Sequence, residues 1–187
     1  MDDHPSLKNQ FLIAMPGLED PNFSRTVTYI CEHGSHGAMG IVVNRPSELR
    51  LTDVLEHMQI ERSDPASGDQ IVYVGGPVET ERGFVLHDRS RQWDSTMAIT
   101  EAISITTSRD ILEAMACGQG PAHSLVALGY AGWGAGQLED EMQHNAWLSG
   151  PADPEVIFDL PVDERWEAAA RLLGVDLRLL STDAGHA

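Results

Sequence analysis

Three short stretches of this chain carry side chains able to do chemistry. The first is Cys31-Glu32-His33, inside an alternating apolar run. On a strand, residues two apart share a face, which places Cys31 beside His33 with Glu32 opposite. An imidazolium beside a thiol lowers its pKa and yields the thiolate needed for covalent catalysis or redox sensing. The plainer reading is a core cysteine, since free Cys is among the most buried residue types. Two such ligands make only half a zinc site. Adding His36 gives Cys-x-His-x-x-His, a spacing that matches no metal motif, so neither a metal nor a cofactor is expected.

The second stretch holds Arg82, His87, Arg89 and Arg91, four potential donors within ten residues. Such a patch can hold a phosphate or a carboxylate, arginine doing so with two parallel bonds. The competing reading pairs these side chains with the protein's own surplus acid, in exposed ion pairs worth about 0–1 kcal/mol each. The third stretch runs from Leu125 to Glu139, where an apolar run breaks into four glycines within eight residues and then turns helical. Strand, glycine loop and helix in that order can aim backbone N–H groups at an anion. Here Glu139-Asp140-Glu141 follow and no Lys does, so the helix start carries the protein's own charge. The glycines are then expected to serve close packing of helix on sheet. Trp133 and Trp147 flank that helix, as core or as pocket wall.

The elements that must position these residues follow from periodicity. Gln10 to Met15 reads as a strand; Arg25 to His33 and Met39 to Val43 read as a hairpin around a four-residue loop, Gly34 to Gly37. Leu51, Val54, Leu55 and Met58 mark one face of a helix. Ile71 to Val74, Gly83 to His87 and one or two segments within Met97 to Thr106 read as strands, with Gly75-Gly76-Pro77 as a tight turn. Thr107-Ser108-Arg109-Asp110 resembles a helix cap, ahead of a stripe of Ile111, Leu112, Met115 and Ala116 that Gly118 ends. A helix is expected from about Ala135 to Leu148, a strand from Val156 to Leu160, and a last helix from Pro161 to Gly174. Strands cluster first and helices intersperse later, which describes an α/β domain of α+β character. Residues 1–187 are expected to form one domain, its core between about 7 and 180.

The formal net charge of −17, with eleven Arg and a single Lys, disfavours direct nucleic-acid binding, which rests on neutralising several phosphates at once. The acidic start lacks the apolar core of a signal peptide, and no run approaches the ~20 apolar residues that span a bilayer. A soluble, cytoplasmic protein without membrane contact is the expectation. Two cysteines are too few for a disulfide framework. No Gly-x-Ser-x-Gly, Walker A or His-Glu-x-x-His pattern occurs.

Several segments converge on one family: Phe11-Leu12-Ile13-Ala14-Met15-Pro16, Arg25-Thr26-Val27, Cys31-Glu32-His33, Gly37-Ala38-Met39-Gly40, Asn44-Arg45-Pro46, Gly75-Gly76-Pro77-Val78, Arg82 to His87, and Gly129 to Gln137. In that order they resemble the AlgH/YqgE family of small bacterial proteins, from about Leu7 to Leu180. The resemblance implies a compact mixed-sheet domain with a small barrel-like sheet flanked by helices. Members often carry the label of transcriptional regulator, and no catalytic residue transfers position by position. The chain shows no helix-turn-helix spacing and no basic recognition helix. The sequence therefore points to a non-enzymatic binding or regulatory protein acting through a protein or small-ligand contact. The alternatives are a direct DNA-binding regulator and a redox or enzymatic protein built on Cys31 and His33, or on an anion pocket near Arg82 and His87.

Overall fold

The computed structural model describes residues 6–64 and 69–180. Strands β1 (Gln10–Ala14), β2 (Val27–Gly34), β3 (Gly37–Val42) and β4 (Pro46–Arg50) lead into helix α1 (Leu51–His57). Strands β5 (Ile71–Val74), β6 (Val78–Asp88), β7 (Thr96–Ala98) and β8 (Ile103–Thr106) precede helix α2 (Arg109–Ala116). The chain ends with β9 (Ser124–Gly134), α3 (Gln137–Gln143), β10 (Trp147–Pro151), α4 (Pro154–Phe158) and α5 (Arg165–Arg171). The sheet runs β10-β1-β2-β3-β9-β6-β8-β7, with β5 branching from β9 and β4 from β5. It curls into an antiparallel half-barrel within a mixed α/β fold. The barrel-like sheet is thus present, with β10 and β7 as the two ends of its path.

Alternation along the strands divides the core. Leu125 and Ala127 join Phe11, Tyr29, Ile41, Phe84 and Ile105 in one cluster that draws on nearly every strand, the signature of the inside of a curl. Helices α4 and α5 plug it with Val156, Ile157 and Trp166. The outer face splits in two. Val72, Val85 and Val126 lie under Leu51 and Leu55 of α1 and Ile111, Leu112 and Met115 of α2. Leu12, Ile30, Trp133 and Trp147 lie under Leu138 of α3. The stripe expected for α2 is buried in full, each such side chain worth about 1.5–3 kcal/mol.

Four expectations need correction. The hairpin turns over two residues, Ser35 and His36, because Gly34 and Gly37 already pair. The glycine run is strand rather than loop: β9 continues through Gly129, Gly132 and Gly134, and α3 begins only after Gly136. That helix stops at Gln143, since Asn145 takes a left-handed turn (φ 58°) and Trp147 to Pro151 pairs with β1. Val156 to Leu160 is mostly helical, because the Asp153 carboxylate accepts the N–H of Glu155 and Pro154 sits in the first turn, starting α4. The start of α2 is a smaller revision: its N-cap is Ser108, one residue after Thr107.

The glycines of β9 serve strand against strand. A Cβ on Gly129 (φ 79°) would lie 2.4 Å from the Gly76 carbonyl oxygen, and one on Gly76 would lie 2.1 Å from the Tyr130 carbonyl carbon. Gly83, one register position away on β6, faces open space. Gly129→Ala is therefore expected to cost about 3 kcal/mol or more in urea unfolding, from strain plus backbone clash. Gly83→Ala should stay within about 0.5 kcal/mol of the parent.

Candidate functional site

The Cys31 and His33 side chains do not share a face. The β2–β3 register shifts between Ile30 and Glu32, so the strand gains a residue there. Beyond the shift Glu32 pairs with Met39, on the inner cluster's side, and His33 pairs with Ala38, on the α3 side. Cys31 lies on the inner side with no exposure, its thiol directed at the Tyr29 carbonyl (3.7 Å). Burial, and secondarily the Glu32 carboxylate, push that thiol far above the range in which a thiolate forms. The geometry leaves no thiol–imidazole pair. His33 Nδ1 accepts the N–H of Leu7 (2.8 Å), so Nε2 carries the proton and meets the Glu139 carboxylate. The imidazole thereby ties the N-terminal segment and α3 to the hairpin.

The cationic stretch also disperses. Arg82 pairs with Glu79 (3.2 Å) and lies over the Phe84 ring; Arg89 donates to Thr100 O, and Arg91 to Gln119 O. Arg89 follows Arg82 by seven positions, almost all in extended strand, a span of roughly 23 Å, so these two cannot grip one small anion. His87 is wholly buried. Its Nδ1–H can only donate to the Asp88 carbonyl (2.5 Å), so Nε2 accepts the Thr106 hydroxyl (2.7 Å). Thr106 in turn accepts from Thr96 (2.7 Å), which accepts the Trp93 N–H (2.7 Å). This directed chain fastens β6, β8 and β7 to the loop before β7. It requires neutral imidazole, and burial indeed lowers the His87 pKa despite the nearby Asp88 carbonyl and carboxylate.

The acidic triplet has a role that sequence reasoning missed. Glu141 Oε1 accepts both indole N–H groups, from Trp133 (3.1 Å) and Trp147 (2.9 Å), whose rings meet edge to face at 6.2 Å. Two aromatic donors around a helix start were the available signal, since a buried indole N–H needs an acceptor.

A different concavity lies on the outer face of the sheet. A cavity of about 740 Å³ sits between α1 and α2 above the sheet. Val85, Val126 and Leu128 form its floor, Val54, Met58 and Leu112 its walls, and His57, Thr107, Ser108 and Arg109 its polar rim. Val54 and Met58 read as core in the sequence; they are the outer edge of an amphipathic stripe whose inner edge, Leu51 and Leu55, is fully packed. Among the described residues no group of three His, Cys, Asp or Glu is placed to hold a metal, and no helix is long and apolar enough to cross a membrane.

The AlgH-like family model matches residues 11–178 of this half-barrel chain. The chain belongs to the AlgH-like family. It is 64% identical over 179 residues to a UPF0301 protein of Thioalkalivibrio sulfidiphilus, covering 96% of each chain. A UPF0301 protein of Saccharophagus degradans is 57% identical over 182 residues, or 97% of this chain and 89% of that one. The solution structure of AlgH from Pseudomonas aeruginosa superposes with a TM-score of 0.81 at 53% identity, covering 100% and 99% of the two chains. A Corynebacterium diphtheriae protein at 20% identity shares the fold, with a TM-score of 0.73 over 97% and 94%.

Two measurements check these placements. In native protein at neutral pH, a thiol reagent should modify Cys117 alone, and Cys31 only after urea is added; comparable native rates would contradict the buried thiol. For His87 the unfolded side chain titrates near 6.5 and the folded one lower. Below about pH 6.5 the unfolded chain therefore takes up a proton that the folded chain refuses. The stabilisation by neutral His87 is complete above that pH and is lost as pH falls. Between pH 7.5 and 5.5 the parent should lose more unfolding free energy than His87→Gln does.

Proposed function

We propose that this chain is a non-enzymatic, cytosolic binding protein that takes a small, mainly apolar ligand in the groove between α1 and α2. The observation that carries this reading is the cavity itself. Its volume of about 740 Å³ falls in the range of small-molecule sites, and its lining combines an apolar floor with a polar end at the start of α2 and with Asp53, His57 and Glu81 around the edge. Thr107, Ser108 and Arg109 supply that polar end from the start of α2. The ligand would set the spacing of two short helices, and regulation would act through that spacing.

Direct control of DNA finds less support. The outer surface of α1 carries Asp53 and Glu56, and that of α2 carries Glu113, so neither helix offers a basic face to phosphates. Any effect on transcription would then be indirect, through a partner that reads the liganded state. Cys31 is buried facing away from His33, and Arg82 is exposed beside Glu79 while His87 is buried, so neither pair supports a catalytic reading.

The dye 1-anilinonaphthalene-8-sulfonate tests the groove, its rings suiting the floor and its sulfonate the Arg109 rim. The parent should show saturable fluorescence enhancement. Val54→Trp, which fills the cavity from a half-buried position, should weaken binding about fivefold or more while leaving the melting temperature nearly unchanged. No enhancement, or equal affinity in the variant, would remove the groove as the binding site.

A further inference from the structure

A second cavity, about 450 Å³, opens where the end of β4, the start of β9 and the α4–α5 connection meet. Its lining is polar, with Arg50, Gln70, Tyr73, His123, Ser124 and Arg165 around it. In a chain with 12 Lys and Arg against 29 Asp and Glu, two arginines and a histidine converge on this one space.

Arg165 is the unusual member, because only 5% of it is exposed. Its Nε donates to Leu160 O (2.9 Å) and its Nη1 to Val43 O (2.7 Å), and the guanidinium lies over the Tyr73 ring at 5.3 Å. All of these partners are neutral. Among the described residues no carboxylate comes within 4.0 Å of it. Asp159, the acidic side chain that acts on it from a distance, is engaged with His123 at 3.5 Å. A buried cation is normally matched by an anion, since neutral acceptors satisfy its N–H groups without cancelling its charge. The Tyr73 side chain also acts on it as a neutral hydrogen-bond partner, so the groups met by its N–H donors are neutral and leave the positive charge unbalanced.

We infer that this cavity is an oxyanion site, in which Arg165 and Arg50 receive the carboxylate or phosphoryl group of a small ligand. Arg165 forms the inner wall. Arg50 stands exposed at the rim, steadied by its Nη1 bond to Asp69 O (3.1 Å). Gln70 holds Ser124 by donating to its carbonyl (3.0 Å) and its hydroxyl oxygen (3.1 Å), which leaves the Ser124 O–H free to donate inward. The Asp69 carboxylate, also on the lining, opposes a highly charged anion and favours a single oxyanion group. This site shares no cavity with the α1–α2 groove and does not depend on the function proposed for it.

The test is an NMR titration of the full chain with sodium phosphate and, separately, sodium acetate, at constant ionic strength maintained with sodium chloride. Saturable shifts of the Ser124 amide, the Gln70 side-chain amide and the Arg165 Nε–H are expected with at least one probe. Saturation by phosphate alone assigns a phosphoryl ligand, by acetate alone a carboxylate, and by both the shared oxyanion chemistry. Arg50→Gln should weaken the effective probe about fivefold or more. Arg165→Lys keeps the charge but loses the fork, and should weaken it about tenfold. Where Arg165→Lys fails to fold, Arg50→Gln and His123→Gln carry the test, both being exposed positions. Linear, non-saturating drift with both probes, or an affinity that Arg50→Gln leaves unchanged, overturns the assignment.

Discussion

The fold depends on one close approach of backbone to backbone, where Gly129 of β9 lies against the Gly75-Gly76 corner between β5 and β6. No side chain fits there, and the strands can therefore touch through their peptide groups. That contact lets a single strand belong to both halves of the sheet. Along its first half β9 pairs in parallel with β5 and antiparallel with β6; along its second half it pairs with β3. The curl, and hence the separation of one inner core from two outer ones, follows from this change of partners within eleven residues. A side chain at the crossing would have to push β5 and β6 away from β9, and the two halves would no longer share a strand.

Charge is organised by the same economy. The surplus of acid does not mean that every carboxylate is merely solvated. Glu139 meets His33 and Glu141 meets two indoles, so two members of an apparently surface-bound triplet lock α3 onto the sheet. The arginines are used chiefly on backbone carbonyls. Arg45 binds those of Pro21, Asn22 and Ser24, and Arg165 those of Val43 and Leu160. A guanidinium bound to carbonyls organises loops, while the excess of 29 Asp and Glu over 12 Lys and Arg keeps the protein's field strongly negative.

Much of this was legible in the chain, and the failures have physical causes. The short apolar runs of β1, β2, β5 and β8, buried largely on both faces, and the one-faced stripe of α2 are patterns that are read directly. The Gly129 to Gly136 run misled because glycine usually breaks strands, whereas here close strand contact requires it. Val156 to Leu160 misled because a short apolar run has no period of its own, and the local Asp153-Pro154 start decides it as a helix. The Cys31–His33 pairing failed through a single extra residue in β2. A bulge reverses every side chain beyond it, and nothing in the local residue types announces it. Neither cavity was visible, because each draws on segments far apart in sequence: Arg50 with Arg165, Val54 with Leu112. Pattern reading finds faces, and cavities arise where faces from distant elements fail to close.

Those two cavities share no lining residue, but they approach each other across the junction of β4 and α1. The Arg50 side chain lines the polar one, while its backbone N–H donates to the Asp53 carboxylate (2.8 Å) as the start of α1. Asp53 in turn lines the apolar groove beside Val54. The junction of β4 and α1 therefore borders both spaces, and it is anchored between them by buried Leu51 and Leu55 and the bond from Leu51 N–H to Gln70 O (2.8 Å). Gln70 is itself a wall of the polar cavity. A shift of this junction would alter both spaces at once, and coupling of that kind is reciprocal by thermodynamic necessity. Strand β9 also touches both, with Ser124 and Leu125 on the polar cavity and Val126 and Leu128 on the groove, so occupancy of one space would be felt in the other through the β4–α1 junction and through β9.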